Sequence, residues 1–328
     1  MGKFLEGEKP KQAEFKTNPD YFSGNARADG FYKTKYRTFC LPREHAGENL
    51  LTEIRKPMMD YFAKNEIKWH DGQAGKPSNH MCDSQVCCAN FLFPFYDKPV
   101  ALAALLRPYF PYLKKMLPIE DEYYVACEWI GEQDYLGEKK PGNVKRTRGA
   151  NYTSADAAVM FRRVDGKKQI VLIEWKYTES YYPTWLKIAR SGTDRTVIYK
   201  KLYRKKDCPI SKVLLHNFNY LFYEPFYQLM RQQFLANEME KVNELGADIV
   251  SLLHISPAHN RDFLRVTSPE LRRQGNSPIE VWQKLVIKPD RFTGVHTEEL
   301  FGKFHIIDFP DLKGWWQYIT TRYPWVLS

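Results

Sequence analysis

The sequence predicts an α/β domain built on a mixed sheet of about four to five strands flanked by helices, with a mostly helical N-terminal part. Three observations carry that expectation. Two apolar runs, Ala155 to Arg163 and Gln169 to Tyr177, are separated by Val164-Asp165-Gly166-Lys167, and Asp-Gly between such runs is a strong hairpin signal. Apolar residues between Asn49 and Asn65 fall at helical spacing. A further buried-type run, Ala247 to Ile255, follows a long helical pattern, and the order helices, three strands, helix, strand is that of an α/β fold with a mixed sheet.

Taken in order, residues 1–44 read as irregular, with turn residues at Asn18-Pro19-Asp20 and Ser23-Gly24-Asn25. Leu50, Leu51, Ile54, Met58, Tyr61 and Phe62 form the apolar stripe of the first helix. Asp71 to Ser78 is a polar loop. Ser84 to Phe95 and Val100 to Met116 read as helices, the second punctuated by Pro108 and Pro111. Tyr123 to Ile130 favours a strand, and Gly131 to Gly149 is polar and rich in Lys and Arg. Leu214 to Leu245 is a long helical pattern broken or entered at Pro225, and short elements fill the rest. There Trp315, Trp316, Tyr318, Tyr323 and Trp325 are expected to pack rather than to stack on bases. The chain divides on this reading into a helical region at 1–120, a core at 121–260 and a C-terminal extension of the same domain at 261–328.

Composition bounds the function. With 43% apolar and 27% charged residues the chain reads as an ordinary globular protein. No apolar run is long enough to cross a bilayer, so no membrane partner is expected. Met1 to Lys16 lacks the apolar stretch of a secretory signal, so a cytoplasmic location is expected. The net charge of +10 favours a polyanionic partner, because Lys and Arg that neutralise phosphates release condensed counterions. The six cysteines include no Cys-x-x-Cys pair. His80, Cys82, Cys87 and Cys88 lack the ligand spacing of a structural zinc site, so reduced, buried thiols are expected.

The chemistry points to Ile170-Val171-Leu172-Ile173-Glu174-Trp175-Lys176. Side chains alternate along a strand, so Glu174 and Lys176 share a face and Trp175 points away. Two opposite charges ending an apolar run are costly to bury without a purpose or a partner. Asp156 opens the partner strand of the same hairpin. Acid-x-Lys occurs six times in the chain, at Glu14, Glu66, Glu138, Asp165, Glu174 and Asp311. Only at Glu174 does it end a buried-type strand paired with a strand that begins with Asp. A structural salt bridge of Lys176 with one carboxylate is the plain alternative.

Thr153-Ser154-Ala155-Asp156 with Ile173-Glu174-Trp175-Lys176-Tyr177-Thr178-Glu179 resembles motifs II and III of the PD-(D/E)XK nuclease superfamily, with Ala155 where the namesake Pro stands. Ile67-Lys68-Trp69-His70, His80 through Ser84-Gln85 to Asn90-Phe91, and Tyr223-Glu224-Pro225-Phe226-Tyr227-Gln228-Leu229-Met230-Arg231 resemble a bacterial group of restriction endonucleases within it. The resemblance covers most of residues 45–260. It implies a restriction-endonuclease-like fold and hydrolysis of DNA phosphodiester bonds with Mg²⁺, for which Mn²⁺ would substitute. Asp156, Glu174 and the Trp175 carbonyl would hold the metal, and Lys176 would orient or activate the attacking water. Restriction-like enzymes are often dimers, so a homodimer is left open by analogy.

Glu128, on the strand before Asp156, is a candidate additional acid; an exposed or paired strand glutamate is the alternative. Gln228 and Arg231 share a helix face and resemble the glutamine-bearing helix of RecB-like nucleases. His70 and His80 read more readily as structural than as phosphate contacts. The basic runs Lys139-Lys140, Lys145-Arg146-Arg148 and Lys200-Lys201 to Arg204-Lys205-Lys206 suit a DNA path through phosphate contacts. A metal-dependent restriction or defence endonuclease follows, with a RecB-like exonuclease or repair nuclease and a non-catalytic DNA-binding module as alternatives. One geometric condition attaches to it. A three-residue hairpin loop, with Gly166 left-handed and Arg163 opposite Lys167, sets Asp156 opposite Glu174; a two-residue turn would turn the carboxylates to opposite faces unless a bulge or kink near Asp156 rescued that register.

Overall fold

The computed structural model describes residues 2–138, 145–150 and 152–328. Helix α1 (Lys3–Phe15) precedes a small hairpin, β1 (Gly30–Tyr32) and β2 (Lys35–Arg37), and then helices α2 (Thr52–Lys64), α3 (Ser84–Leu92) and α4 (Pro99–Leu106). Strands β3 (Leu113–Leu117), β4 (Ala126–Trp129), β5 (Ala155–Arg163) and β6 (Lys168–Trp175) follow. Helices α5 (Thr196–Arg204), α6 (Lys212–Leu215) and α7 (Phe226–Lys241) lead to β7 (Ile249–Ser256). The chain ends with α8 (Pro278–Leu285), β8 (Phe292–His296), α9 (Thr297–Gly302) and α10 (Lys313–Arg322).

Among the described residues six strands make one mixed sheet in the order β3-β5-β6-β7-β8, with β4 also paired to β5. Pairing is antiparallel from β3 and β4 through β5 to β6, and parallel from β6 through β7 to β8. The α/β class and the mixed sheet are therefore as the sequence predicts, with two further strands. Val100 to Met116 is not one helix: α4 stops at Leu106, and the Leu113–Leu117 segment pairs with β5. Pro108 and Pro111 end the helix rather than punctuate it. Strand β8 is only five residues long and contains Gly294, so it offers little alternation to read.

The N-terminus departs from expectation as well. Lys3–Phe15 is helical although it has almost no apolar stripe. Apart from Phe15, what it buries is polar: the Glu8 carboxylate accepts from Tyr177 Oη (2.7 Å) and Trp325 Nε1 (3.0 Å), and Gln12 Nε2 donates to the Arg322 carbonyl (3.1 Å). Buried polar groups are tolerated when every one finds a partner, and apolar periodicity cannot reveal such a helix.

The sheet separates two cores. Val171, Ile173 and Trp175 face an aromatic layer that includes Phe91, Phe301, Tyr323 and Trp325. Ile170 and Leu172 face α7 and α8 through Leu229, Met230, Phe234 and Trp282. Trp315, Tyr318, Tyr323 and Trp325 are buried, and Trp316 packs against them. All six cysteines are buried and unpaired.

Candidate active site

The β5–β6 hairpin sets the geometry. Its register runs from Arg162 opposite Lys168 to Ala157 opposite Ile173, and the Arg163 N–H donates to the Lys167 carbonyl (2.8 Å). The loop is therefore Val164-Asp165-Gly166, three residues, with Gly166 at φ +85°, which L side chains rarely adopt. One more step along this register places Asp156 opposite Glu174. On the other side of β5, Cys127 lies opposite Ala157 and Trp129 opposite Ala155, so Glu128 falls opposite Asp156. On β7, His254 pairs with Glu174. Glu128, Asp156, Glu174 and His254 thus stand in one row across four adjacent strands.

The ladder is distorted along that row. Glu128 has φ +50°, a rare conformation for a non-glycine residue that costs on the order of 1–3 kcal/mol and collects at functional sites. Ala157 faces the aromatic core while Ala155 faces the α7 side, so β5 turns over at Asp156. The Trp175 N–H donates to Asp156 Oδ2 (2.7 Å). A strand N–H points along the sheet toward its neighbour, so the Asp156 carboxylate lies in the gap between β5 and β6.

Glu174 and Lys176 are almost fully buried, at 1% and 5% exposure. Lys176 Nζ donates to Glu174 Oε1 and to Gln228 Oε1, the latter at 2.8 Å. Gln232 Nε2 donates to Glu174 Oε2 and to the Ser154 carbonyl (3.1 Å). Glu128 is held by Gln85 Nε2 (2.6 Å) and Ser154 Oγ (2.8 Å). Gln85, Glu128 and Asp156 line one small cavity with Cys88. The roomier clefts lie away from Glu174 and Lys176, one of them between the β1–β2 hairpin and the 71–79 loop.

Burial pushes the Asp156 proton affinity well up, and the charge of Glu174 adds to the shift. Burial also raises Glu128, against the hydrogen bonds from Gln85 and Ser154 and with the charge of Glu174. Burial opposes the charge on Lys176, yet Glu174, Tyr181, Glu179 and Asp156 together hold its proton affinity well above the ordinary lysine value. Lys176 is thus a fixed cation. Burial, with the charge of Lys176, keeps His254 neutral. Its ring stacks on Phe263 at 5.2 Å, and neither ring nitrogen has a hydrogen-bond partner among the described residues.

The donor chemistry suits a hard divalent cation. The carboxylates of Asp156 and Glu174 and the Trp175 carbonyl are all oxygen ligands, which Mg²⁺ takes together with water and phosphate oxygens. The charge of Glu174 raises the proton affinity of Asp156 and of Glu128, which is the repulsion a cation would relieve. Among the described residues no three His, Cys, Asp or Glu side chains form a metal-binding group. An ion held here would rest on two carboxylates and a main-chain oxygen, with water and substrate completing its shell.

Other predicted residues fall elsewhere. The Arg231 guanidinium lies over the Tyr227 ring at 4.9 Å. Gln232, one residue on, is the α7 residue that reaches Glu174. The i,i+4 spacing from Gln228 is the signal that finds it. His254 gave no signal beyond its place in an apolar run. Arg146 and Arg148 hold structure rather than an open path: Arg146 donates to the Gly131 carbonyl (2.9 Å), and Arg148 Nη1 donates to both carboxylate oxygens of Glu120 (2.7 and 3.0 Å). Lys139-Lys140 lies outside the described residues. Lys200, Lys201, Arg204, Lys205 and Lys206 are exposed on and after α5. His80 is structural, its Nδ1 accepting from the Cys82 N–H (3.1 Å), while the exposed His70 sits 3.5 Å from Asp83.

A helix-flanked mixed sheet of this kind, with acidic residues and a lysine on its central hairpin, is that of a restriction-endonuclease-like protein. The chain belongs to the family described as restriction endonuclease associating with ARP, whose model matches residues 10–324. No curated protein and no solved structure matches it. Membership makes a nuclease or defence role the general function of the chain. Among the described residues no helix is long and apolar enough to cross a membrane.

Proposed function

We propose that this chain is a PD-(D/E)XK-type nuclease that hydrolyses DNA phosphodiester bonds with Mg²⁺ or Mn²⁺, acting as a restriction or defence endonuclease. The observation that carries this reading is the row Glu128, Asp156, Glu174 across three adjacent strands, with Lys176 fixed beside Glu174. A structural ion pair would need one carboxylate and one lysine. It would explain neither the two further acids nor the left-handed Glu128.

Asp156, Glu174 and the Trp175 carbonyl hold the metal in this proposal. Bound there, it supplies a Lewis acid and lowers the pKa of a coordinated water toward neutrality. Lys176 remains protonated at neutral pH, so its part is to orient the attacking water and to stabilise charge developing on the phosphate, not to accept a proton. Gln228 and Gln232 set the directions of Lys176 and Glu174. Glu128 holds Ser154 and Gln85 at the edge of the site and stands as a reserve acid.

Gln228 on Lys176 also favours the second reading, a RecB-like exonuclease, because a glutamine-bearing helix facing the catalytic strands is the feature those enzymes share with this chain. The experiment is incubation of supercoiled plasmid and linear DNA with the protein and Mg²⁺ or Mn²⁺, beside an EDTA control. Nicking or linearisation of the plasmid supports the endonuclease, and loss of linear DNA alone supports the exonuclease. Binding without cleavage of any substrate would make the chain a non-catalytic DNA-binding module.

A further inference from the structure

The segment that leaves the site carries residues the chemistry above does not use. After Lys176 the chain runs through Tyr181 and an exposed stretch to α5. Seven of the eight tryptophans are buried or partly buried, whereas Trp185 is 52% exposed, with Tyr182 beside it at 61%. Lys187 Nζ lies 5.7 Å from the Trp185 ring centroid, so the exposed indole already carries a cation against it.

The segment is neither adrift nor apolar. The Tyr181 ring packs on Phe263 at 5.8 Å, and Phe263 stacks in turn on His254 at 5.2 Å, which places the start of the segment at the site. The Leu186 N–H donates to the Phe222 carbonyl (2.8 Å), and the Arg195 guanidinium donates to the Leu186 carbonyl (2.7 Å) and lies over Tyr227 at the start of α7. Residues 180–201 hold five Lys and Arg against one acid, Asp194, which pairs with Lys187 at 3.2 Å. Arg190, Lys200 and Lys201 are exposed. Exposed aromatic rings among cations, tied to the edge of a phosphodiesterase site, make a stacking platform. Rings of this kind bind bases by their faces, and a duplex hides base faces except where it is frayed, flapped or open.

We infer that Trp185 and Tyr182, with Arg190, Lys200 and Lys201, form a subsite for unpaired DNA next to the scissile phosphate, so the preferred substrate carries single-stranded bases at the cut. This inference rests on the nuclease reading and names its substrate class. Stacking is shared by all bases, so the subsite selects structure rather than sequence.

The test uses the full chain in EDTA with fluorescent oligonucleotides: a single strand, the matching blunt duplex, and the duplex with a single-stranded flap. The expected order is flap and single strand tighter than blunt duplex, with quenching of the Trp185 emission. Trp185→Ala should weaken flap and single-strand binding by about tenfold or more and leave blunt-duplex binding unchanged, while Trp185→Phe keeps most of the affinity. Arg190→Ala should flatten the salt dependence. Unchanged single-strand affinity in Trp185→Ala, in a protein that still cleaves DNA with Mg²⁺, overturns the subsite and leaves the nuclease. Failure of the wild type to bind or cleave any of the three DNAs overturns both. Self-association, or binding to phosphatidylserine vesicles, that Trp185→Ala abolishes while DNA binding persists also overturns it.

Discussion

The two faces of β6 differ by one residue in sequence and by nearly everything in physics. Trp175 and Tyr177 turn into an aromatic layer, with ring centroids 4.9 Å from Phe91 to Trp175 and 5.9 Å from Tyr177 to Trp325. Glu174 and Lys176 turn toward α7 and meet two glutamine side chains. Both faces are buried. On the first, stability comes from area and close packing, which any well-shaped apolar set supplies. On the second, burial works against each charge, and the groups stay because each fixes another. The first face holds the strand still, and the second uses that stillness.

Exchanging both members of the polar pair separates the faces most sharply. Glu174→Gln with Lys176→Met should lower the cleavage rate by at least about 10²–10³-fold. The same protein should melt at or above the wild-type temperature, since replacing a buried ion pair with neutral residues is often neutral or stabilising by about 1–4 kcal/mol. A large fall in melting temperature would mean that the pair is there for stability. Trp175→Ala is the mirror experiment. It should cost about 3–5 kcal/mol in urea unfolding while the folded fraction still cleaves, because the proposed metal site would use only its main-chain carbonyl. Loss of cleavage at full folding would give the indole a role the comparison denies it.

Gln232→Leu tests whether α7 merely covers the charged face or directs it. It removes the donors to Glu174 and Ser154, and such supporting contacts usually matter 10–100-fold in metal affinity or activity, so about tenfold weaker Mg²⁺ activation is expected. An unchanged Mg²⁺ titration would reduce Gln232 to packing. The smallest effect lies outside both faces. Burial pushes His80 down to about 4, and its Nδ1 accepts a main-chain N–H. A group depressed in the folded state stabilises above its unfolded pKa, near 6.5, and that share is lost as pH falls toward 4. His80→Gln should therefore show a shallower loss of melting temperature between pH 6.5 and 4 than the wild type. Parallel curves would show that His80 does not contribute.

The same contrast explains what could be read beforehand. The hairpin register was legible because Asp165-Gly166 admits few turns and the side-chain period of two does the rest. Strands β4 to β7 and helix α2 announced themselves through apolar runs and periodicity. Helix α1 did not, because it buries Glu8 and Gln12 in hydrogen bonds that cross the whole chain. The choice between Arg231 and Gln232 depends on a rotation of α7 about its axis, which one residue of phase decides. The left-handed Glu128 has no sequence mark, since the strain belongs to the meeting of β4 with the turned-over end of β5. Apolar matter is legible because it is periodic; polar matter depends on partners far away in sequence.

The central claim is that Asp156 and Lys176 belong to the reaction rather than to the scaffold. The direct measurement is the rate of plasmid cleavage at saturating Mg²⁺ for wild type, Asp156→Ala and Lys176→Ala, with DNA affinity determined on the same preparations in EDTA. Both variants are expected to bind DNA about as well as wild type, with Asp156→Ala slightly tighter for losing a negative charge, and to lose cleavage by about 10²–10³-fold or more. Cleavage by both variants at the wild-type rate would contradict the account and place the active site elsewhere.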